Sequence, residues 1–131
     1  MAGLPAVGHK VSYTRIVTDE DVVAFARVTG DDQALHLDPD FGKRIAHGML
    51  SAGYISAVLG TRLWPDGTVI YMSQNLQFRR PVSIGDKITA EAEVTAVDAE
   101  KRIVTVRTDC VNQDGETVVR GEATVMIDEL R

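Results

Sequence analysis

Hydrophobic and polar positions along the chain follow two periods, and the change between them divides the sequence. In the second half the period is two. Ile88, Ala90, Ala92 and Val94 alternate with Thr89, Glu91, Glu93 and Thr95, as in a strand with one face on a core and the other in water. Ile103, Thr105 and Arg107 alternate less cleanly with Val104, Val106 and Thr108. Residues 68–78, 86–97, 102–112 and 116–127 all read as strands, and 11–17 (VSYTRIV) as a shorter one. Asp114-Gly115 is a strong hairpin turn and residues 98–101 form a longer one. The last three strands therefore form an antiparallel meander.

Between the first strand and the later ones the period is helical. Thr18 precedes DEDVVAFARVTG. Threonine caps a helix, acidic residues suit its first turn, and Gly30 ends it. Val22, Val23, Phe25 and Ala26 supply the apolar stripe. Residues 47–64, HGMLSAGYISAVLGTRLW, are apolar almost all round, which predicts a buried helix. Gly53, Ala57 and Gly60, with Ser56 beside them, make a stripe of small residues. Each interior glycine costs about 1 kcal/mol relative to alanine, so another element is expected to pack tightly there. Residues 30–46, with Pro39 and Gly42, read as a polar, irregular connection. The order predicts an α+β fold in a single domain over 1–131, one central helix followed by strands long enough to curl round it.

Composition adds limits. A chain of 131 residues, 44% hydrophobic and 25% charged, suits one hydrophobic core. No apolar run is long enough to span a bilayer, and MAGLPAVGHK lacks the pattern of a secretory signal. Cys110 is the single cysteine, which rules out an intramolecular disulfide and points to a reducing, cytoplasmic setting. The net charge of −5, with no basic block, argues against nucleic acid as a partner, because polyphosphates reward dense Lys and Arg clusters. A small anionic ligand needs only a few local cations.

The chemistry concentrates in TGDDQALH at 29–36. Taken alone, an aspartate after a glycine caps a turn, and a loop histidine is held by hydrogen bonds. Taken with RIAHGML at 44–50 and NLQFRRPVSIGD at 75–86, the stretch GDDQALHLDPDF resembles the MaoC-like (R)-specific enoyl-CoA hydratases. Their signature runs Gly-Asp-any-Asn-Pro-any-His, followed later by His-Gly-Met. The resemblance spans nearly the whole chain. Two departures stand out. The Asn-Pro pair is Gln33-Ala34 here, which leaves one backbone angle unfixed and the loop less rigid. The stretch 38–47 is also several residues shorter than the family pattern.

The resemblance implies a hot-dog fold, in which a curved antiparallel sheet wraps a central helix. It implies reversible hydration of a trans-2-enoyl-CoA to an (R)-3-hydroxyacyl-CoA. Asp31 and His36 are the implied acid–base pair, Gly48 the backbone donor to the thioester oxyanion, and Ser56 an orienting hydroxyl. An ionised carboxylate accepts hydrogen bonds and imidazole both donates and accepts near neutral pH. Placed on an irregular loop, the two can converge on one water. Gly48 falls at a helix start, where N–H groups lack partners and the dipole favours negative charge. Arg79 and Arg80, with Lys43, Arg44 and Lys87, are the cations available to CoA phosphates. Tyr54, Trp64, Tyr71 and Met72 are candidate walls for the acyl tail. No cofactor, metal or membrane is called for, and a homodimer joined edge to edge between sheets is implied.

Three rival readings remain. A hot-dog thioesterase carries its carboxylate on or beside the central helix, and 48–64 contains no Asp or Glu. A 3-hydroxyacyl-carrier-protein dehydratase runs the same chemistry backward on another handle, and sequence does not separate it. A non-catalytic acyl-binding partner subunit has no use for Asp31, His36 and Gly48 together. Of the remaining residues, Asp32 reads as solvated, Asp38 as a loop brace, His47 as structural at the helix start and Cys110 as a mid-strand residue without a motif.

Overall fold

The structure is a computed structural model that describes residues 3–40 and 44–129. Strand β1 (Lys10–Ile16) leads into α1 (Asp19–Thr29), and the one-turn α2 (Ala34–Leu37) follows. Helix α3 (Gly48–Val58) runs into a π-helical turn (Leu59–Leu63), and then come β2 (Gly67–Phe78), β3 (Lys87–Asp98), β4 (Ile103–Val111) and β5 (Thr117–Glu129). All strand pairings are antiparallel, in the order β1-β3-β4-β5-β2. The meander β3-β4-β5 is as the alternation predicts, and β2 crosses over to the far edge.

The alternating residues face inward as read. Ile88, Ala90, Ala92 and Val94 of β3, Val104 and Val106 of β4, and Ala123, Val125 and Ile127 of β5 are buried. They meet Ile55, Val58, Leu59 and Leu63 from α3 and its π turn. Register shifts between Tyr71 and Ser73, Val94 and Ala96, and Cys110 and Val111 interrupt three pairings. A bulge bends its strand and raises local twist, and the sheet curves around α3. This is the hot-dog arrangement that the resemblance implies.

Helix α1 starts and stops on the expected residues. Thr18 Oγ1 accepts from the Asp21 N–H at 3.1 Å, and the Asp21 carboxylate accepts from the Thr18 N–H at 3.3 Å, a reciprocal capping box. Arg15 of β1 donates to the same carboxylate at 2.7 and 3.0 Å. Gly30 closes the helix at φ 86°, its N–H bonded to the Ala26 carbonyl. That left-handed turn is cheap for glycine alone.

Two expectations need correction. Residues 30–46 are not irregular throughout, because α2 folds inside them. Residues 47–64 are not one helix buried all round. The α-helix ends at Val58, and only Ser51, Tyr54, Ile55 and Val58 of α3 are buried. Gly53, Ser56 and Gly60 are exposed, and a Cβ at Gly53 or Gly60 would meet nothing within 4 Å. The small-residue stripe is the open face of the helix rather than a close-packed one. Small side chains serve either purpose, and here they leave space. Among the described residues no helix is long and apolar enough to cross a membrane.

The Asp21 carboxyl is held below its ordinary value of 3.8, chiefly by the Arg15 hydrogen bond. The stability this gives is present above that ordinary value and is lost as pH falls through the lowered one. Asp21→Asn should therefore cost roughly 0.5–1 kcal/mol in urea unfolding at pH 6, with the gap to the unsubstituted protein closing towards pH 2.

Candidate active site

Three segments build the site, and little regular backbone joins them. Asp31 lies just beyond α1, where the Gly30 turn directs the chain away from the helix. Its N–H donates to Thr29 Oγ1 at 3.2 Å, and its Oδ1 accepts from the side-chain amide of Gln33 at 3.3 Å. Gln33, one of the two departures from the family pattern, thus puts an amide on this carboxylate.

His36 sits on α2 and is buried. Its Nδ1 is 2.6 Å from the Ile45 carbonyl. A carbonyl only accepts, so Nδ1 carries the hydrogen and Nε2 is left to act. Asp31 precedes α2 rather than sharing it, and for this reason the helical turn does not splay the two side chains apart. Arg44 fixes α2 from outside, donating to the His36 carbonyl at 2.7 Å while its guanidinium pairs with Asp19 at 2.5 Å. That engagement removes Arg44 from the cations available to a ligand.

His47 precedes α3 and is also buried. Its Nε2 donates to the main-chain carbonyl of Asp31 at 2.8 Å. Its ring stacks on His36, with centroids 3.8 Å apart and planes 24° from parallel, and Phe25 of α1 lies 4.7 Å away on a tilt. Its Nδ1 is buried without a hydrogen-bond partner. A structural histidine bonding near the helix start is the sequence expectation, and this bond agrees with it.

One donor atom from each of Asp31, His36 and His47 lies within 4.8 Å of the other two. One water can bridge groups at that spacing. A metal ion fits less well. The nearly parallel rings lie 3.8 Å apart and each already commits one nitrogen to a main-chain carbonyl, an arrangement unlike the ring nitrogens converging at roughly 2 Å on one ion that a metal site requires.

Gly48 opens α3, and the His47 side chain does not cap the helix; the Leu50 N–H is taken by the His47 carbonyl at 3.0 Å, which leaves the donor capacity of this helix start with the Gly48 and Met49 N–H groups. A Cβ at Gly48 would lie 2.8 and 2.9 Å from two ring carbons of Phe78. Only glycine fits there without moving that ring.

Asp31, His36, His47 and Gly48 line a cavity of about 760 Å³. Its remaining wall is largely apolar and includes Phe25, Tyr71, Met72 and Leu76, with Gly53 and Ser56 from the open face of α3. Met72 is the unpaired residue at the β2 register shift. A second cavity of about 460 Å³ shares His36, Gly48 and Met49 with the first and is lined by Phe78, Arg79 and Arg80. Arg80 pairs with Glu116 at 3.3 Å, and Arg79 donates to Gln77 at 3.3 Å.

Tyr71 and Met72, candidate walls for an acyl tail, line the first cavity. Tyr54 and Trp64 do not. The Tyr54 ring packs edge-on to Tyr13 at 6.0 Å. Lys87 lines neither cavity, and Lys43 falls outside the described residues. Asp32 is exposed, and Asp38 braces its loop by accepting from the Asp40 N–H at 2.8 Å. A carboxylate, an imidazole with one nitrogen free and an uncapped helix start around one cavity can move protons and hold a developing negative charge.

Comparison with known proteins gives a consistent result. The MaoC like domain matches residues 4–115. An (R)-specific enoyl-CoA hydratase of Rhodospirillum rubrum is 45% identical over 126 residues, covering 92% of this chain and 86% of the relative. A 3-hydroxybutyryl-CoA dehydratase of Methylorubrum extorquens is 44% identical, covering 85% of this chain and 73% of the relative. Among solved structures, an unliganded R-hydratase from Pseudomonas aeruginosa superposes with a TM-score of 0.88 at 41% identity, covering 96% of this chain and 84% of that one.

Cys110 stands apart from this chemistry. It is buried, its Sγ lies 3.6 Å from the Ser51 carbonyl, and burial pushes its thiol up to about 12. A thiolate is the reactive form, so the native protein should not react with a disulfide reagent such as DTNB, and the urea-unfolded protein should release one equivalent.

Proposed function

The chain belongs to the MaoC-like domain family, and on that footing we propose that it adds water reversibly to a trans-2-enoyl-CoA, giving an (R)-3-hydroxyacyl-CoA. The observation that carries this reading is the convergence of Asp31, His36 and the start of α3 on one largely apolar cavity. A water held between the Asp31 carboxylate and His36 Nε2 gives a proton to the pair as its oxygen bonds to C3. The pair returns a proton to C2 as the double bond becomes single. Both new bonds then form on the face where the water sits, which is syn addition. Negative charge collects on the thioester oxygen, and the Gly48 N–H donates to it, a role supported by the position of Gly48 at the start of α3 on the cavity wall. A donor of this kind commonly supplies ~3 kcal/mol of barrier stabilisation. The same groups serve dehydration in reverse.

The acyl tail runs along the open face of α3, past Gly53 and Ser56. Ser56 orients the substrate through its hydroxyl. CoA phosphates face the adjoining groove, where Arg79 offers local positive charge on a chain of net charge −5 and Arg80 adds to it by exchanging its exposed Glu116 pair for a phosphate. The partner in assembly is a second copy. Strand β2 is a sheet edge, and Ile70, Tyr71, Met72 and Phe78 on it are exposed, as is Met49 nearby. An apolar, unpaired edge of this length calls for a cover. A cytoplasmic setting suits a single unpaired cysteine.

Crotonyl-CoA tests the activity, followed as loss of the conjugated absorbance together with the chirality of the product. Asp31→Asn or His36→Ala should each lower turnover by roughly 10²–10⁴-fold with the fold intact. Full activity in either folded variant overturns that assignment. Thioester cleavage without hydration makes the protein a thioesterase instead, and binding without turnover makes it an acyl-binding subunit.

A second prediction concerns the tail. Gly53→Leu should reduce kcat/KM for medium-chain enoyl-CoAs by on the order of 10-fold or more while sparing crotonyl-CoA. Equal loss on both substrates would put the tail elsewhere.

A further inference from the structure

We infer that His47 is a positioning residue of this site. The hydrogen bond from its Nε2 to the Asp31 carbonyl ties the acidic residue to the start of α3, and so sets the carboxylate against the Gly48 amide. The inference rests on the hydratase reading for its consequence and on geometry for the link itself.

Asp31 has few other anchors. Its N–H bond to Thr29 is 3.2 Å long, its Oδ1 accepts from the Gln33 side chain at 3.3 Å and from the Gln33 N–H at 3.5 Å, and all three are exposed. The 2.8 Å bond from His47 is the short, part-buried one, and it spans 16 residues. It comes from the residue that adjoins Gly48, on a helix anchored in the core. The same ring lies flat on His36 at 3.8 Å and is backed by Phe25 at 4.7 Å. One side chain therefore touches the acid, the base and the segment that carries the oxyanion donor.

Ring packing alone does not explain a histidine here. Its Nδ1 makes no hydrogen bond to another protein group, so Nε2 is the nitrogen that ties the ring to the protein. Phenylalanine would fill the same place and stack on His36. What histidine adds over phenylalanine is the Nε2–H bond to Asp31. Because the acceptor is a carbonyl, His47 must hold its hydrogen on Nε2.

Two substitutions separate the possibilities. His47→Phe keeps the ring and removes the donor. His47→Gln places an amide N–H at similar reach. His47→Phe should remain folded at the assay temperature, with a somewhat lower melting temperature because the Asp31 carbonyl loses its donor, while kcat on crotonyl-CoA falls about 10²-fold, the scale of a 1 Å misplacement, and KM moves less than threefold. His47→Gln should recover most of kcat. Unchanged kcat in His47→Phe, an equal loss in both variants, or a loss explained by unfolding overturns the inference. The link is also read without turnover. Imidazole nitrogen NMR should report His47 protonated on Nε2, with that hydrogen slow to exchange. A hydrogen on Nδ1 overturns the proposal. An inactive wild-type protein that keeps the Nε2 signal sinks the hydratase reading and leaves the tie between Asp31 and α3 standing.

Discussion

Everything in the site depends on one packing contact, the seating of α3 in the concave face of a bent sheet. Ile55, Val58, Leu59 and Leu63 fix that seat against the short side chains Ala90 and Ala92 and the branched ones on β4 and β5. Once that face is buried, the rotation of the helix is set. The same rotation turns Gly53 and Ser56 to the cavity and brings the first turn of α3 to Asp31 and His36. A helix hydrophobic on every side would otherwise have no preferred orientation.

The reacting groups themselves are held differently. Asp31, His36 and Gly48 come from a loop, a single turn and a helix start, where ladder hydrogen bonds are few. Side chain to main chain bonds replace them. His36 holds the Ile45 carbonyl, Arg44 holds the His36 carbonyl, and His47 holds the Asp31 carbonyl. The first and third of these also fix ring tautomers. The two histidines consequently differ in kind. One keeps a free Nε2 facing the cavity, and the other commits its Nε2 to the backbone.

The strands were legible from sequence to within a residue or two, because alternation at 88–95 and the Asp114-Gly115 turn are local signals. Helix α1 was legible for the same reason, through Thr18 and Gly30. The early end of α3 was not, since Leu59, Thr61 and Arg62 suit an α-helix as well as a π turn. The stripe at Gly53 and Gly60 was read as close packing, because composition cannot distinguish a gap from a tight fit. Asp31, His36 and Gly48 were found through resemblance, and they do lie around one cavity. His47 was legible as a structural residue bonded near the helix start, but its partner was not, because that partner is a carbonyl and a main-chain atom leaves no letter in the sequence. Arg44 looked like a free cation for the converse reason, since Asp19 and the His36 carbonyl lie near it only in the fold.

The ring of Phe78 occupies the volume that a methyl on residue 48 would need. Steric demand alone therefore favours glycine at this position, whatever the cavity binds, and a larger residue would have to push the exposed Phe78 ring aside. A glycine retained at 48 beside an aromatic at 78 in a distant descendant would be a poor witness to surviving activity.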